Sequence, residues 1–283
     1  MTEMIATPAC FDAPTTLERM RYWFTDVRVM TQRYVIHIRR EPMQLSDVTV
    51  QPVLFTLLFI YIFGTAMVVR GGGSYKDFAL AGLLMMNLTT SSVGTAIGLS
   101  TDLSTGMINR LRTLPMSPTA ILFGRSISDL LAAMICSSFV VMTGLAVGWR
   151  PDAGAASIAA GFGLALLFSY ALTWAMACLG LLAASPESAQ GIVMLFMFPL
   201  AFVSNVFAAT QGMPAWLATI ANWNPVSAVT SACRSLFGNP NPSSTIHAWP
   251  MQHPVMASLV WSVVILVVSV AAAGHLYRHR TSN

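Results

Sequence analysis

Val255-Met-Ala-Ser-Leu-Val-Trp261-Ser-Val-Val-Ile-Leu-Val-Val-Ser-Val-Ala-Ala272 holds no charged side chain and neither Gly nor Pro. A helix needs about 20 predominantly apolar residues to cross a bilayer, and this stretch sits inside a charge-free run from 235 to 277. Runs of the same kind, histidine aside, recur at 48–69, 78–101, 130–149, 153–186 and 188–233. The 283 residues carry only 15 Lys and Arg and 11 Asp and Glu, 9% of the chain. A soluble domain has roughly 25%. So few charges cannot cover a soluble fold, whereas a bilayer requires none. The sequence therefore reads as an all-α integral membrane protein.

Six spans are expected at about 49–69, 78–100, 126–148, 157–182, 189–209 and 254–276. Lys and Arg accumulate on the cytoplasmic side of membrane proteins. With the N-terminus inside, that side receives Arg19, Arg21, Arg28, Arg33, Arg39, Arg40, Arg110, Arg112, Arg125, Arg278 and Arg280. The outside receives only Arg70, Lys76, Arg150 and Arg234. Both termini are thus expected in the cytoplasm. Residues 1–48 read as a cytoplasmic N-terminus, 49–277 as the transmembrane domain and 278–283 as a cytoplasmic tail. The first 48 residues show no signal-peptide pattern, and Lys-poor, Arg-rich usage suits the plasma membrane of a high-GC bacterium.

Lys76 is the single lysine, and it stands between Tyr75 and Asp77. A phosphate-binding P-loop needs Gly before its Lys and Ser or Thr after it, so the chain does not bind ATP by that route. Gly71-Gly72-Gly73 reads instead as a turn between spans. Cys10, Cys136, Cys178 and Cys233 show no paired spacing and read as small apolar residues. His275 and His279 lie four apart, but two ligands make a poor metal site. No metal is expected.

Ionisable residues inside a bilayer are costly and usually functional, and none is expected near the midplane. Asp129 falls one turn into the third span and Glu187 in the short turn 183–188; both read as structural or contact residues. An intramembrane enzyme and a proton-coupled carrier are disfavoured. A translocator energised from elsewhere, a channel and a scaffold remain.

Three non-spanning segments have internal pattern. Over 15–41, Leu17, Met20, Phe24, Val27, Met30, Tyr34 and Ile38 share one helical face and Arg21, Arg28 and Arg39 the opposite one. Thr15 with Glu18 suits a capping box and Pro42 closes the far end. Such a helix lies in the membrane interface, and its polar face is also available to a cytoplasmic partner. Over 102–115, Leu103, Met107, Leu111 and Leu114 share a face, Asp102 suits a helix start, and Arg110 and Arg112 project inward. Both docking to a soluble protein and simple positive-inside anchoring fit. Over about 213–238, Asn224-Pro225 opens a helix that Gly238 ends, after a shorter helix through Trp216, Leu217 and Ile220. Non-spanning backbone is tolerated at that depth only where protein covers it or it lines a cavity, so this reads as an outer re-entrant helical pair.

These parts, in this order, resemble an ATP-binding-cassette type 2 exporter permease. The specific match is Gly106-x-x-x-Arg110-Leu-Arg112-Thr-Leu-Pro115-Met-Ser-Pro118-x-x-Ile121-x-x-Gly124-Arg125-x-x-x-Asp129, which is similar to the bacterial daunorubicin-resistance-type drug permeases. Asn224-Pro225 with Arg234 and Gly238 is similar to the family's weaker outer motif.

The resemblance implies a second permease chain, as homodimer or heterodimer, and two separate cytoplasmic ATPases that hold ATP and Mg; this chain would need no cofactor of its own. It makes 102–115 a coupling helix, with Gly106, Met107, Leu111, Leu114 and Pro115 seated on the ATPase and Arg110 and Arg112 paired with acidic groups. Glu187, Arg21 and Arg28 would be secondary contacts. The expected cargo is an amphiphilic drug, antibiotic or lipid-like molecule entering from the cytoplasm or inner leaflet. Candidate pathway residues are Phe55, Phe59 and Phe63 of the first span, Asn87 of the polar second span, and Phe196, Phe198 and Phe202 of the fifth. An ATP-independent channel and a scaffold stay open as alternatives.

Overall fold

The computed structural model describes residues 16–64, 74–107, 118–207, 210–241 and 246–282, with no strand among them. Thr15, the Gly71–Gly73 turn and Arg110, Leu111, Arg112, Leu114 and Pro115 lie outside the described residues. The helices are α1 (Thr16–Arg40), α2 (Pro42–Gly64), α3 (Tyr75–Ser91), α4 (Val93–Ser104), α5 (Pro118–Val147), α6 (Ala155–Leu182), α7 (Pro186–Phe202), α8 (Ala215–Trp223), α9 (Pro225–Phe237), the single turn α10 (Trp249–Gln252) and α11 (Pro254–Ser282).

Pro42 does more than close α1. It opens α2 after a single non-helical residue, Glu41, because a proline at the first helical position sacrifices a donor that would be unpaired anyway. The second span is interrupted at Ser92, between α3 and α4. The Ser91 and Ser92 hydroxyls donate to the main-chain oxygens of Leu88 and Thr89 at 3.2 and 2.6 Å, and hydroxyls that bond back into their own helix compete with its ladder.

Among the described residues five helices are long and apolar enough to span a membrane: α2, α3 with α4, α5, α6 and α11. α3–α4 and α6 form the centre, with 72% of their apolar windows buried, against 17–28% for α2, α5 and α11. The outer three still present Leu54, Leu58, Ile62, Met142, Val260, Val263 and Val267 outward. Apolar helices that show this much surface require an apolar solvent, which a bilayer supplies.

The fifth apolar segment departs from the span expected at 189–209. Its helix, α7, is 17 residues long, about 25 Å at 1.5 Å per residue, short of the ~30 Å hydrocarbon core. After Phe202 the chain continues without helix through 203–207. Freed carbonyls in a bilayer need partners, and α9 with its cap supplies them. Asn224 Nδ2 donates to the oxygens of Leu200 (2.8 Å) and Val203. Arg234 Nη2 donates to those of Asn205 and Val206 at 3.0 and 3.2 Å. Ser227 Oγ accepts from the Asn205 N–H at 3.0 Å.

Alternation of the chain gathers α1, the end of α4, the start of α5, the 183–185 turn and the end of α11 at one end of the bundle, called here the α1 end. A cluster of Leu99, Leu122, Trp174, Leu181 and Tyr277 packs beneath it. The larger core, from Phe78, Leu83 and Leu88 through Phe168 and Leu172 to Val229 and Phe237, fills the middle and the far end.

Candidate functional site

At the α1 end the interface helix is docked on protein. Val27, Met30 and Tyr34 of its expected apolar face are buried, Met30 and Tyr34 against Ile121 of α5. Trp23 Nε1 donates to Thr119 Oγ1 at 3.1 Å and Thr31 Oγ1 to the Gly124 carbonyl at 3.3 Å. Met20 and Phe24 of the same face stay exposed, as do Arg21 and Arg28 of the polar face.

Asp102 does not start a helix, contrary to the sequence expectation. It lies in the last turns of α4, which closes at Thr105 and turns at Gly106 with φ +68°. Left-handed backbone of that kind favours glycine. A new helical segment therefore begins no earlier than Met107, where the described residues stop. Freed from capping, Asp102 Oδ2 accepts from the Tyr34 hydroxyl at 3.0 Å and from Arg125 Nη1 at 3.4 Å. Arg125 Nε also lies 3.6 Å from Asp129 Oδ2, one turn along α5. Thr95 Oγ1 donates to that oxygen at 2.7 Å, and Arg125 Nη2 donates to the Gly94 carbonyl at 3.1 Å. The guanidinium rests over Gly98, where a Cβ would have no room. Burial first, and the Asp102 carboxylate second, push the Tyr34 phenol above its usual range, which keeps its proton in place for the bond. Arg33 Nη2 donates to Met107 Sδ, so α1 holds the chain on both sides of Gly106.

Glu187 is exposed in the first turn of α7, inside a capping box made by Ser185 and Ser188. A backbone N–H first and the Ser185 hydroxyl second hold its carboxylate below the usual range, so this turn presents a firm negative charge.

Beyond the middle of the bundle, the candidate pathway phenylalanines divide. Phe55, Phe59 and Phe63 stack along α2 with centroids 6.2 and 5.1 Å apart. Phe59 also stacks on Phe207 at 5.0 Å, Phe207 meets Phe202 at 5.7 Å, and Phe202 stacks on Phe198 at 4.3 Å. One aromatic ladder thus joins α2 to α7. Its middle rung, Phe207, lies in the same aromatic run of the fifth apolar segment as Phe198 and Phe202, and the non-helical 203–207 stretch brings its ring to α2. Phe196 is exposed. Asn87 is buried and spends its amide on its own helix, Nδ2 donating to the Leu83 carbonyl at 2.8 Å, which favours packing.

At the far end Arg234 is fully buried; the sequence reading puts it on the outer re-entrant helix but does not include its burial. Besides the two bonds to the 203–207 segment, Nε donates to the Phe78 carbonyl at 3.1 Å and the guanidinium lies 3.8 Å from the Phe78 ring centre. A cation over an aromatic face gains electrostatically. The signal available in the sequence was the single charge between two long apolar runs, on the polar side of an otherwise apolar helix.

The fold is that of a polytopic α-helical membrane protein. Within that class the chain belongs to the ABC-2 type transporter family, whose profile matches residues 25–237. It is similar to the daunorubicin resistance ABC transporter permease protein DrrB1 of Streptomyces coeruleorubidus, 32% identical over 204 residues and 72% of each chain. A putative transport permease, ycf38, of Porphyra purpurea is 25% identical over 217 residues, 76% of this chain and 74% of its own. The probable doxorubicin resistance ABC transporter permease protein DrrC of Mycobacterium tuberculosis is 21% identical over 277 residues, 96% of each. The chain is therefore a multi-pass permease subunit of an ABC transporter, a family that works with an ATPase and is not itself the catalyst.

Proposed function

We propose that this permease exports an amphiphilic drug, antibiotic or lipid-like compound from the cytoplasm or inner leaflet across a bacterial plasma membrane, with both termini cytoplasmic. It does so as one of two permease chains seated on two ATPase subunits, which bind ATP and Mg. The observation that carries this reading is the 32% identity to a daunorubicin resistance permease over 72% of each chain. The α1 end faces the ATPases: the 108–115 segment with Arg110, Leu111, Arg112, Leu114 and Pro115 docks, entered through Gly106 and Met107. Glu187, Arg21 and Arg28 add peripheral contacts. ATP-driven closure shifts spans two and three between inward and outward arrangements.

The Phe55–Phe59–Phe207–Phe202–Phe198 ladder supports an apolar path for cargo. Stacked rings accept flat apolar surfaces without demanding one shape. Inverted vesicles from the native host test this with doxorubicin as the probe. ATP should drive its uptake, and deletion of this chain should abolish that uptake. Uptake that ignores ATP, or that survives the deletion, would contradict the reading.

A further inference from the structure

Arg125 is served by two carboxylates that differ in what they are attached to. Asp129 sits one turn along the same helix, so α5 itself keeps it near Arg125, and Thr95 of α4 donates to it. Asp102 sits near the end of α4, four residues before the left-handed turn at Gly106. A single oxygen, Asp102 Oδ2, receives both the Tyr34 hydroxyl and Arg125 Nη1. Three helices, α1, α4 and α5, meet at that atom.

We propose that Asp102 is a positioning residue for coupling: a releasable arm by which movement entering α4 from beyond Gly106 is passed to α1 through Tyr34, while Thr95 and Gly94 keep α4 on α5. The inference rests on the exporter reading, which supplies the push. A buried guanidinium stripped of its only carboxylate is strongly destabilising. Here release leaves Arg125 with Asp129 and the Gly94 carbonyl, so the open state of the arm is accessible. A cavity of about 10 Å³ borders Arg125, lined also by Thr95, Leu122, Ser126, Thr173 and Trp174. That volume is at the lower limit for a single water, and the hydroxyls on its wall are those of Thr95, Ser126 and Thr173. The engaged arrangement is the one seen here; the released one is the second state that a transmitted motion requires.

The complex captured from native membranes, reconstituted in liposomes, gives the test: doxorubicin moved per ATP hydrolysed. Asp102→Asn should lower that ratio by about five-fold or more, the lower end of usual coupling, while ATPase retention and melting stay as in the wild type. Asp102→Glu should restore most of it. An unchanged ratio in Asp102→Asn with the ATPase retained overturns this inference alone. A wild-type complex that retains no ATPase overturns the exporter reading and this inference with it.

Should Asp102→Asn fail to fold, Tyr34 and Asp102 are kept and the proximity of α1 to the end of α4 is read with His37→Cys and Thr105→Cys, both exposed in the wild type, joined by a bis-methanethiosulfonate linker. Crosslinking should fall by about five-fold or more when ATP and vanadate trap the closed ATPase. Equal crosslinking in both states overturns the arm.

Discussion

Arg234 Nη2 donates to the main-chain oxygen of Asn205 at 3.0 Å, tying a buried cation to a part of the fifth apolar segment that has left the helix. The bond explains how a charge and non-helical backbone coexist at the far end of a membrane bundle. The carbonyls gain donors, and two of the three guanidinium nitrogens, Nε and Nη2, gain acceptors. Replacing Arg234 by Met should leave the carbonyls of Phe78, Asn205 and Val206 short of donors and cost about 2–4 kcal/mol. Arg234→Lys should recover only part, since one ammonium cannot copy the planar fork. Thermal unfolding in detergent measures both, and a Met variant as stable as the wild type would refute the assignment.

Asn224 works in two directions: its Oδ1 accepts from Val226 N at 2.8 Å while its Nδ2 serves Leu200 and Val203. Asn224→Ala should lose about 1–3 kcal/mol. Asn224→Asp keeps the cap but not the donors, so it should fall between Ala and wild type. Asp equal to Ala would mean that the cap contributes nothing.

Gly82 packs so closely on the Val206 carbonyl that a Cβ has no room, whereas Gly94 has nothing within 4 Å. Gly82→Ala should destabilise by about 1–3 kcal/mol, the usual cost of overpacking. Gly94→Ala should be tolerated. The same melting assay checks the pair, and equal effects would contradict the junction between α3 and the 203–207 segment.

Phe207 links the α2 and α7 portions of the ladder. Phe207→Ala and Phe59→Ala should each raise the doxorubicin concentration for half-maximal transport by roughly 2–10-fold, the value of one stacked pair. The maximal rate should change less, since uniform binding is what is lost. Vesicle uptake at graded doxorubicin reads this out, and unaltered half-saturation would remove the ladder from the pathway.

Much of this architecture was legible before any coordinates. Long charge-free runs gave the spanning helices, and Asn224-Pro225 with Gly238 gave α9, whose cap bond and left-handed Gly238 are present. Asp129 was read as a structural or contact residue, and it is ion-paired with Arg125. Three features were hidden for physical reasons. The burial of Arg234 within α9 was hidden because its partners are main-chain carbonyls, which leave no mark in a sequence. The end of α7 at Phe202 was invisible because 203–209 is as apolar as the helix before it; Asn224, Ser227 and Arg234, remote in sequence, supply the partners that make the break affordable. Asp102 suited a helix start by residue type, yet Tyr34 and Arg125, from two other helices, claim its carboxylate.

The central claim is that an ATPase docked on the segment beyond Gly106 powers this permease. Capture of the tagged chain from native membranes in mild detergent, with mass spectrometry of what is retained, tests it most directly. The account predicts a near-stoichiometric P-loop ATPase that is lost in Arg110→Glu/Arg112→Glu and retained by the wild type after crosslinking in intact membranes. A wild-type chain that brings down no ATPase even after crosslinking, or one whose ATPase ignores the charge reversal, would contradict it.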